Sequence, residues 1–147
     1  MKKLVLILLF AFIGTYAFST GDEQDFILTE NACFHFKKVR FGFGNHLIGI
    51  KANGERQKFL RDEVIQFCKG GFLYEKAPIV KYNKPTGSYD FMRVICRRDE
   101  MTLYEYNNEK SCNKDQIRYF VFRKNRFVIE LCSHKDANLM AKFISAN

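Results

Sequence analysis

Apolar and polar residues alternate through much of the middle and the end of this chain. Residues 34–43 predict a strand with a bulge at 37–38, because the parity of the apolar positions changes between Phe36 and Val39. Further strands are expected at 46–52, 89–97, 101–106, 117–123 and 126–132. Short polar turns separate most of them, so the pattern predicts a series of antiparallel hairpins.

Two amphipathic helices are predicted beside these hairpins. The first covers about residues 54–69 and ends at Gly70-Gly71, and the second covers 134–145 and begins after Ser133. The positions at helical spacing are Leu60, Val64, Phe67 and Cys68 in the first helix and Met140, Ala141 and Ile144 in the second. The expected fold class is therefore α+β, a single small domain in which two helices cover an antiparallel sheet.

A strand–strand–helix layout is expected twice, over residues 33–69 and 112–145. At one constant offset, Asn45 aligns with Asn125 and Asn53 with Ser133. An internal duplication explains this layout. A chance match between two common hairpin-and-helix arrangements is favoured because few residues are identical, and the sequence leaves both open.

The N-terminal residues 1–17 have the organisation of a signal peptide. Lys2 and Lys3 precede an unbroken apolar run at 4–13, and Thr15 and Ala17 supply the small residues before a cleavage point. The run is too short for a transmembrane helix, which needs about 20 residues. We therefore expect a secreted, extracellular domain over residues 18–147, with no transmembrane segment.

The cysteine count fits an oxidising compartment but is odd. The five cysteines are Cys33, Cys68, Cys96, Cys112 and Cys132. We predict two disulfides among Cys33, Cys68, Cys112 and Cys132, with Cys96 as a spare thiol in a strand face shared with Met92 and Val94. Their pairing stays open, as does a homodimer through the odd cysteine. Nothing in the cysteine and histidine spacing predicts a metal site or a cofactor.

Positive charge is the strongest functional indication in the sequence, which has a formal net charge of +8 at pH 7. Basic residues cluster with aromatic ones on predicted hairpins, a combination typical of proteins that bind polyanions. The candidate anion-binding residues are Lys37, Lys38, Arg40, Arg118, Arg123, Lys124 and Arg126. The sequence thus favours a small secreted basic binding protein that is not an enzyme. Its expected partner is a sulfated glycan, an acidic protein or a membrane surface.

Two other functions stay open. The histidines His35, His46 and His134 allow a small secreted hydrolase, and Cys68-Lys69 resembles the Cys-Lys pair of pancreatic-type ribonucleases. The resemblance ends at Gly70, where the following residues differ from that family's motif. A phenylalanine-rich sheet beneath a helix also fits a carrier of small apolar ligands.

Overall fold

A computed structural model describes residues 25–107 and 117–146 of the chain, and these ranges are mostly β. They contain eleven strands in two antiparallel sheets, one 3₁₀ turn and one α-helix. The strands are β1 (Asp25–Thr29), β2 (Cys33–Phe36), β3 (Lys38–Phe41), β4 (His46–Ile50), β5 (Arg56–Leu60), β6 (Val64–Lys69), β7 (Phe72–Lys81), β8 (Lys84–Arg98), β9 (Met101–Asn107), β10 (Ile117–Arg123) and β11 (Arg126–Leu131). The 3₁₀ turn is Arg61–Glu63 and the helix, α1, is His134–Ala146. The predicted signal peptide and Cys112 lie outside the described residues.

The large sheet has eight strands in the order β11-β10-β9-β8-β7-β6-β1-β2. From β6 to β11, each strand pairs with the next one along the chain. The turn between β7 and β8 has positive φ angles of 50° and 59° at Tyr82 and Asn83, and Lys124 and Asn125 between β10 and β11 have 48° and 61°. Two-residue turns of this conformation match the twist of antiparallel strands, which explains why consecutive strands pair.

The small sheet contains β3, β4 and β5, and the chain enters it directly from the large sheet. Only Lys37 separates β2 from β3. Because one residue interrupts the alternation there, Phe36 and Val39 are both fully buried although their positions differ in parity. The predicted change of parity is found at this point, but the single bulged strand expected over residues 34–43 is wrong, because the chain changes sheets at Lys37 and forms two strands.

A buried carboxylate ties the two sheets together. Asp25 of β1 is 4% exposed, and its Oδ2 accepts a hydrogen bond of 2.7 Å from the amide of Val39 in β3. Its Oδ1 accepts a second bond of 2.7 Å from the amide of Gly70, at the turn after β6. Both carboxylate oxygens are thus satisfied by backbone donors from other elements.

Between the two sheets lies an aromatic core. Its buried members are Ile27, Phe36, Val39, Leu47, Phe59, Val64, Phe67 and Phe91. The ring of Phe36 lies against the backbone of Gly49, where an added Cβ would stand 2.4 Å from the ring. The small sheet therefore approaches closely because its central strand has no side chain at this point.

The rest of the large sheet buries residues on both faces. On one face, Tyr104 and Phe122 are in edge-to-face contact with ring centroids 5.5 Å apart. On the other face, α1 packs Ala137 and Ile144 against Leu103 and other residues of β9 and β10. The helix thus covers part of this second face, whereas the cluster on the first face contains residues of β7 to β11 alone.

The predicted α+β fold class with two amphipathic helices is wrong. Residues 54–69 form β5, the 3₁₀ turn and β6 rather than a helix, and Leu60, expected on the apolar helical face, is 44% exposed. Gly70 and Gly71 were the expected helix end, but with φ of 60° and 80° they form the turn between β6 and β7. β-Branched and aromatic residues such as Val64 and Phe67 favour a strand when a neighbouring strand can pair with them.

The strand–strand–helix layout expected for residues 33–69 is also absent, because this stretch contains no α-helix. The second helix, expected over 134–145, is present as α1. The Ser133 hydroxyl accepts a hydrogen bond of 3.2 Å from the Asp136 amide and donates one of 2.7 Å to its carboxylate, which caps the helix. Likeness between the two stretches is limited in the described residues to a hairpin in each.

A bulge in β8 separates Cys96 from the residues with which it was grouped. Met92 and Val94 belong to the cluster with Tyr104, whereas Cys96 packs in the cluster beneath α1. The register shifts between Val94 and Cys96, and this places the thiol on the opposite face of the sheet. The shared strand face expected for these three residues is therefore wrong.

Candidate anion-binding face

The outward side of the small sheet presents cations on both of its outer strands. In the strand register, Lys38 of β3 and Arg56 of β5 lie on either side of Ile50 in the central strand. Two residues farther along these strands, Arg40 of β3 and Lys58 of β5 lie on either side of Ile48 in the same way. We call this surface the basic face, and its four cations are Lys38, Arg40, Arg56 and Lys58.

Strand geometry fixes how these charges are spaced. Side chains two residues apart on a strand are about 7 Å apart, and those on strands flanking a common neighbour are about 10 Å apart. All four cations are exposed, and none forms an ion pair within the described residues. The basic face is therefore a small rectangular array of uncompensated positive charge.

Two carboxylates at the ends of the small sheet have partners of their own. Glu55 accepts a hydrogen bond of 3.0 Å from Lys51, and this contact lowers the pKa of its carboxyl group. Asp62 accepts a hydrogen bond of 3.2 Å from the side-chain amide of Asn45. Neither carboxylate forms an ion pair with a cation of the basic face.

Apolar side chains lie between and beside the four cations. Ile48 and Ile50 are partly exposed along the middle of the face, and Leu60 lies opposite His46 at one end. Phe43, in the turn between β3 and β4, is fully exposed. The face thus combines positive charge with an apolar row and an aromatic tip.

Two of the seven predicted anion-binding residues belong to this surface, and a third precedes it. Lys38 and Arg40 belong to the basic face, and Lys37 is exposed where the chain changes sheets. The sequence did not predict that Arg56 and Lys58 join them, since both fell in the expected helix. Their spacing in Arg56-Gln57-Lys58 matches that in Lys38-Val39-Arg40, and this common alternation was the signal available.

Arg118, a fourth candidate, is held in a bidentate ion pair. Its Nε and one terminal nitrogen each donate to the Glu130 carboxylate at 2.7 Å, and its guanidinium lies 4.8 Å from the centroid of the Phe120 ring. The hydrogen bond to Glu130 is the main cause that raises the pKa of Arg118. This cation joins β10 to β11 and has little remaining charge to offer a ligand.

The remaining candidates surround the turn between β10 and β11. Arg123 and Lys124 both form ion pairs with Glu100, at 3.3 Å and 2.5 Å. Arg126 is exposed and has no ion pair in the described part of the chain. Because one carboxylate compensates two of these three cations, the turn is a weaker anion site than the basic face.

The four described cysteines, Cys33, Cys68, Cys96 and Cys132, are free thiols, and Cys112 lies outside the described residues. Cys33 and Cys68 lie on strands flanking β1, opposite Leu28 and Phe26. Burial raises the pKa of the Cys33, Cys68 and Cys96 thiols, which opposes a role as an activated nucleophile. The predicted disulfides stay a prediction.

The three histidines have separate partners. His35 lies 3.8 Å from the Cys33 sulfur, and His46 is 3.4 Å from the carbonyl oxygen of Phe43. His134, at the start of α1, is hydrogen-bonded at 2.8 Å to the hydroxyl of Tyr119. Ribonuclease-type chemistry requires two histidines that act on one phosphate, and within the described ranges no two of these residues are in contact.

An open groove of about 400 Å³ lies beside the 3₁₀ turn. Its lining includes the carboxylates of Glu30, Asp62, Glu63 and Glu75. Glu75 forms an ion pair with Arg97 and accepts a hydrogen bond of 3.1 Å from the Tyr104 hydroxyl. Since carriers of apolar molecules use enclosed apolar cavities, this groove does not favour the carrier alternative.

Within residues 25–107 and 117–146, no helix is long and apolar enough to cross a membrane. The same residues contain no cluster of three or more histidine, cysteine or acidic side chains arranged to hold a metal ion. Comparison of the chain with protein-family models, with curated proteins and with solved structures gives no match.

Proposed function

We propose that this chain is a small secreted binding protein, not an enzyme, and that its basic face binds an anionic partner. The observation that carries the proposal is the array of four exposed, unpaired cations on one side of the small sheet. The secreted location rests on the signal-peptide pattern of residues 1–17.

Unpaired charge on one surface favours a binding role on electrostatic grounds. Elsewhere in the described chain, basic residues such as Arg61, Arg93 and Arg97 form ion pairs with acidic partners. The cations of the basic face have no such partner, and their mutual repulsion mildly opposes folding. A bound polyanion removes this repulsion and releases condensed counterions.

Heparin affinity chromatography of the mature protein tests the proposal. We expect retention at low salt and earlier elution of a variant in which Lys38, Arg40, Arg56 and Lys58 are all replaced by glutamine. Glutamine keeps a long polar side chain on these exposed strand positions while removing the charge. The matched control replaces four exposed lysines outside the face by glutamine, namely Lys81, Lys84, Lys135 and Lys142.

The comparison between the two variants separates a site from general basicity, since both lose the same formal charge. The salt dependence of binding to a DNA duplex gives a second measure of the charges used. In a plot of the logarithm of the binding constant against the logarithm of the salt concentration, each neutralised phosphate changes the slope by about 0.9. We expect the basic-face variant to lose most of the slope and the control to lose little. Equal losses in both variants contradict the proposal.

A further inference from the structure

We propose that the partner of the basic face is the surface of an anionic lipid bilayer and that Phe43 inserts into it. This inference rests on the proposed function and assigns the class of its ligand. The structural basis is an exposed aromatic side chain at one end of an exposed cationic sheet.

Phe43 is presented by a closed hairpin. The amide of Gly42 donates a hydrogen bond of 2.9 Å to the carbonyl oxygen of His46, and this bond closes the turn formed by residues 43–45. Gly44 has a φ of 69°, in the left-handed region that favours glycine. The turn therefore holds a large apolar ring fully in water, where it gains nothing from the packing of the protein.

Gly42 brings this turn close to the apolar row of the basic face. A Cβ at this position would stand 3.0 Å from Cγ1 of Ile48. Leu60, 44% exposed, lies opposite His46 in the next strand. Exposed apolar residues are thus found both at the turn and on the part of the face nearest to it.

The distance between Phe43 and the nearest cations matches the distance between the apolar and the charged layers of a membrane surface. Arg40 precedes Phe43 by three residues, a distance of about 10 Å along an extended strand. Peripheral segments bury their apolar residues about 5–10 Å into the boundary between headgroups and acyl chains. With Phe43 at that depth, Arg40 and Lys58 lie near the lipid phosphates, where each adds to binding. Lys38 and Arg56 lie about 7 Å farther back, still within the range over which an anionic surface attracts cations.

Aliphatic side chains distinguish this surface from a binding site for a nucleic acid or a sulfated glycan. Proteins that bind single-stranded nucleic acid use flat aromatic rings on which bases stack, whereas Ile48, Ile50 and Leu60 offer no such plane. These side chains gain free energy by leaving water for hydrocarbon. A sulfated glycan satisfies the cations and leaves Phe43 and the apolar row in water. A nucleic acid that stacked one base on Phe43 would still leave Ile48, Ile50 and Leu60 in water.

Vesicle sedimentation is the first test. We expect the wild-type protein to bind vesicles of phosphatidylcholine and phosphatidylglycerol in equal parts, and not vesicles of phosphatidylcholine alone. Replacing Phe43 by serine should weaken this binding roughly ten- to a hundredfold, the range that follows from burying one aromatic side chain. The same replacement at Phe143, which is 59% exposed on α1, is the matched control and should have no effect.

The basic-face variant distinguishes failure of this inference from failure of the proposed function. It should weaken vesicle binding on the order of several hundredfold and also reduce retention on heparin, whereas Phe43→Ser should leave heparin retention unchanged. If wild type binds heparin through the basic face but does not bind the anionic vesicles, only the lipid assignment fails. If neither ligand responds to the basic-face variant, both proposals fail.

A tryptophan probe tests insertion directly, since the chain contains no tryptophan. We expect the fluorescence of a Phe43→Trp variant to shift to shorter wavelength on anionic vesicles and to be quenched by brominated lipid. A Tyr82→Trp variant, at the exposed turn between β7 and β8, is the control and should show neither change. Vesicle binding without a shift or quenching at position 43 would overturn the insertion.

Discussion

The carboxylate of Asp25 accepts a hydrogen bond of 2.7 Å from the backbone amide of Val39, and this bond joins β1 of the large sheet to β3 of the small sheet. Val39 is fully buried, so water cannot replace the carboxylate as acceptor unless the two sheets separate. One side chain thus helps to fix the position of the sheet that carries the basic face.

Replacing Asp25 by alanine should lower the free energy of unfolding by about 2–4 kcal/mol, because a buried amide donor loses a charged acceptor. Urea denaturation monitored by circular dichroism measures the loss. Glu63→Ala is the control, since Glu63 is exposed, and should change stability by less than about 0.5 kcal/mol. Equal losses in the two variants would show that Asp25 contributes no more than a surface residue.

Gly49→Ala should also destabilise the protein, although alanine has the higher strand propensity. The new Cβ would stand 2.4 Å from the ring of Phe36, and overpacking of this kind costs about 1–3 kcal/mol. Thermal and urea unfolding provide the measurement. In the double variant with Phe36→Leu, the total loss should be smaller than the sum of the two single losses. Simple additivity would mean that the ring and the glycine do not interact.

The ionisation of Tyr106 should reduce stability at high pH. Burial and, secondly, the nearby Asp90 carboxylate raise the pKa of Tyr106 from 10.0 to about 12. Between these values the unfolded chain releases a proton that the folded chain keeps, so stability is full below about pH 10 and decreases as the pH rises toward 12.

Spectrophotometric titration of tyrosinate absorbance tests this shift. The curve of the wild type minus that of Tyr106→Phe should have its midpoint near 12, the raised value. Because Tyr106→Phe also removes the stabilising hydrogen bond of 3.2 Å to Asp90, the variant unfolds more easily. Both titration curves are therefore recorded under conditions in which both proteins remain folded. A midpoint near 10 would show that this hydroxyl ionises as it does in water.

The positions of the thiols restrict which disulfides form. Cys33 and Cys68 lie on the two strands that flank β1, so their Cα atoms are about 10 Å apart or more. This exceeds the separation of about 7 Å above which two cysteines need backbone movement to join. Peptide mass mapping of the purified protein should therefore find no bridge between these two residues, and finding one would contradict the strand register.

The sequence predicted the hairpins of the second half well because their turns are local. Lys124-Asn125 needs only its own two residues to adopt the turn conformation. The stretch 54–69 was misread because Leu60, Val64 and Phe67 happen to lie at helical spacing. What decides its structure is the pairing of β5 with β4 and of β6 with β1 and β7, and all three of these partner strands lie outside the stretch.

The candidate site was predicted in part for the same reason. Lys38 and Arg40 were recognised as cations on a strand, but their neighbours Arg56 and Lys58 could be placed only once β4 and β5 were paired. Conversely, the charge of Arg118 looked available until the register brought Glu130 beside it. Whether a charge is free depends on cross-strand neighbours, and a single sequence does not specify them.

The direct passage from β2 to β3 through Lys37 has a consequence for hydrogen exchange. A small sheet joined by a flexible linker would open by itself, and its amides would exchange faster than those of the large sheet. Here, β3 is a continuation of an edge strand of the large sheet, so we expect β2 and β3 to open together. Amides of the surface that we assign to membrane binding should then exchange no faster than those of β2.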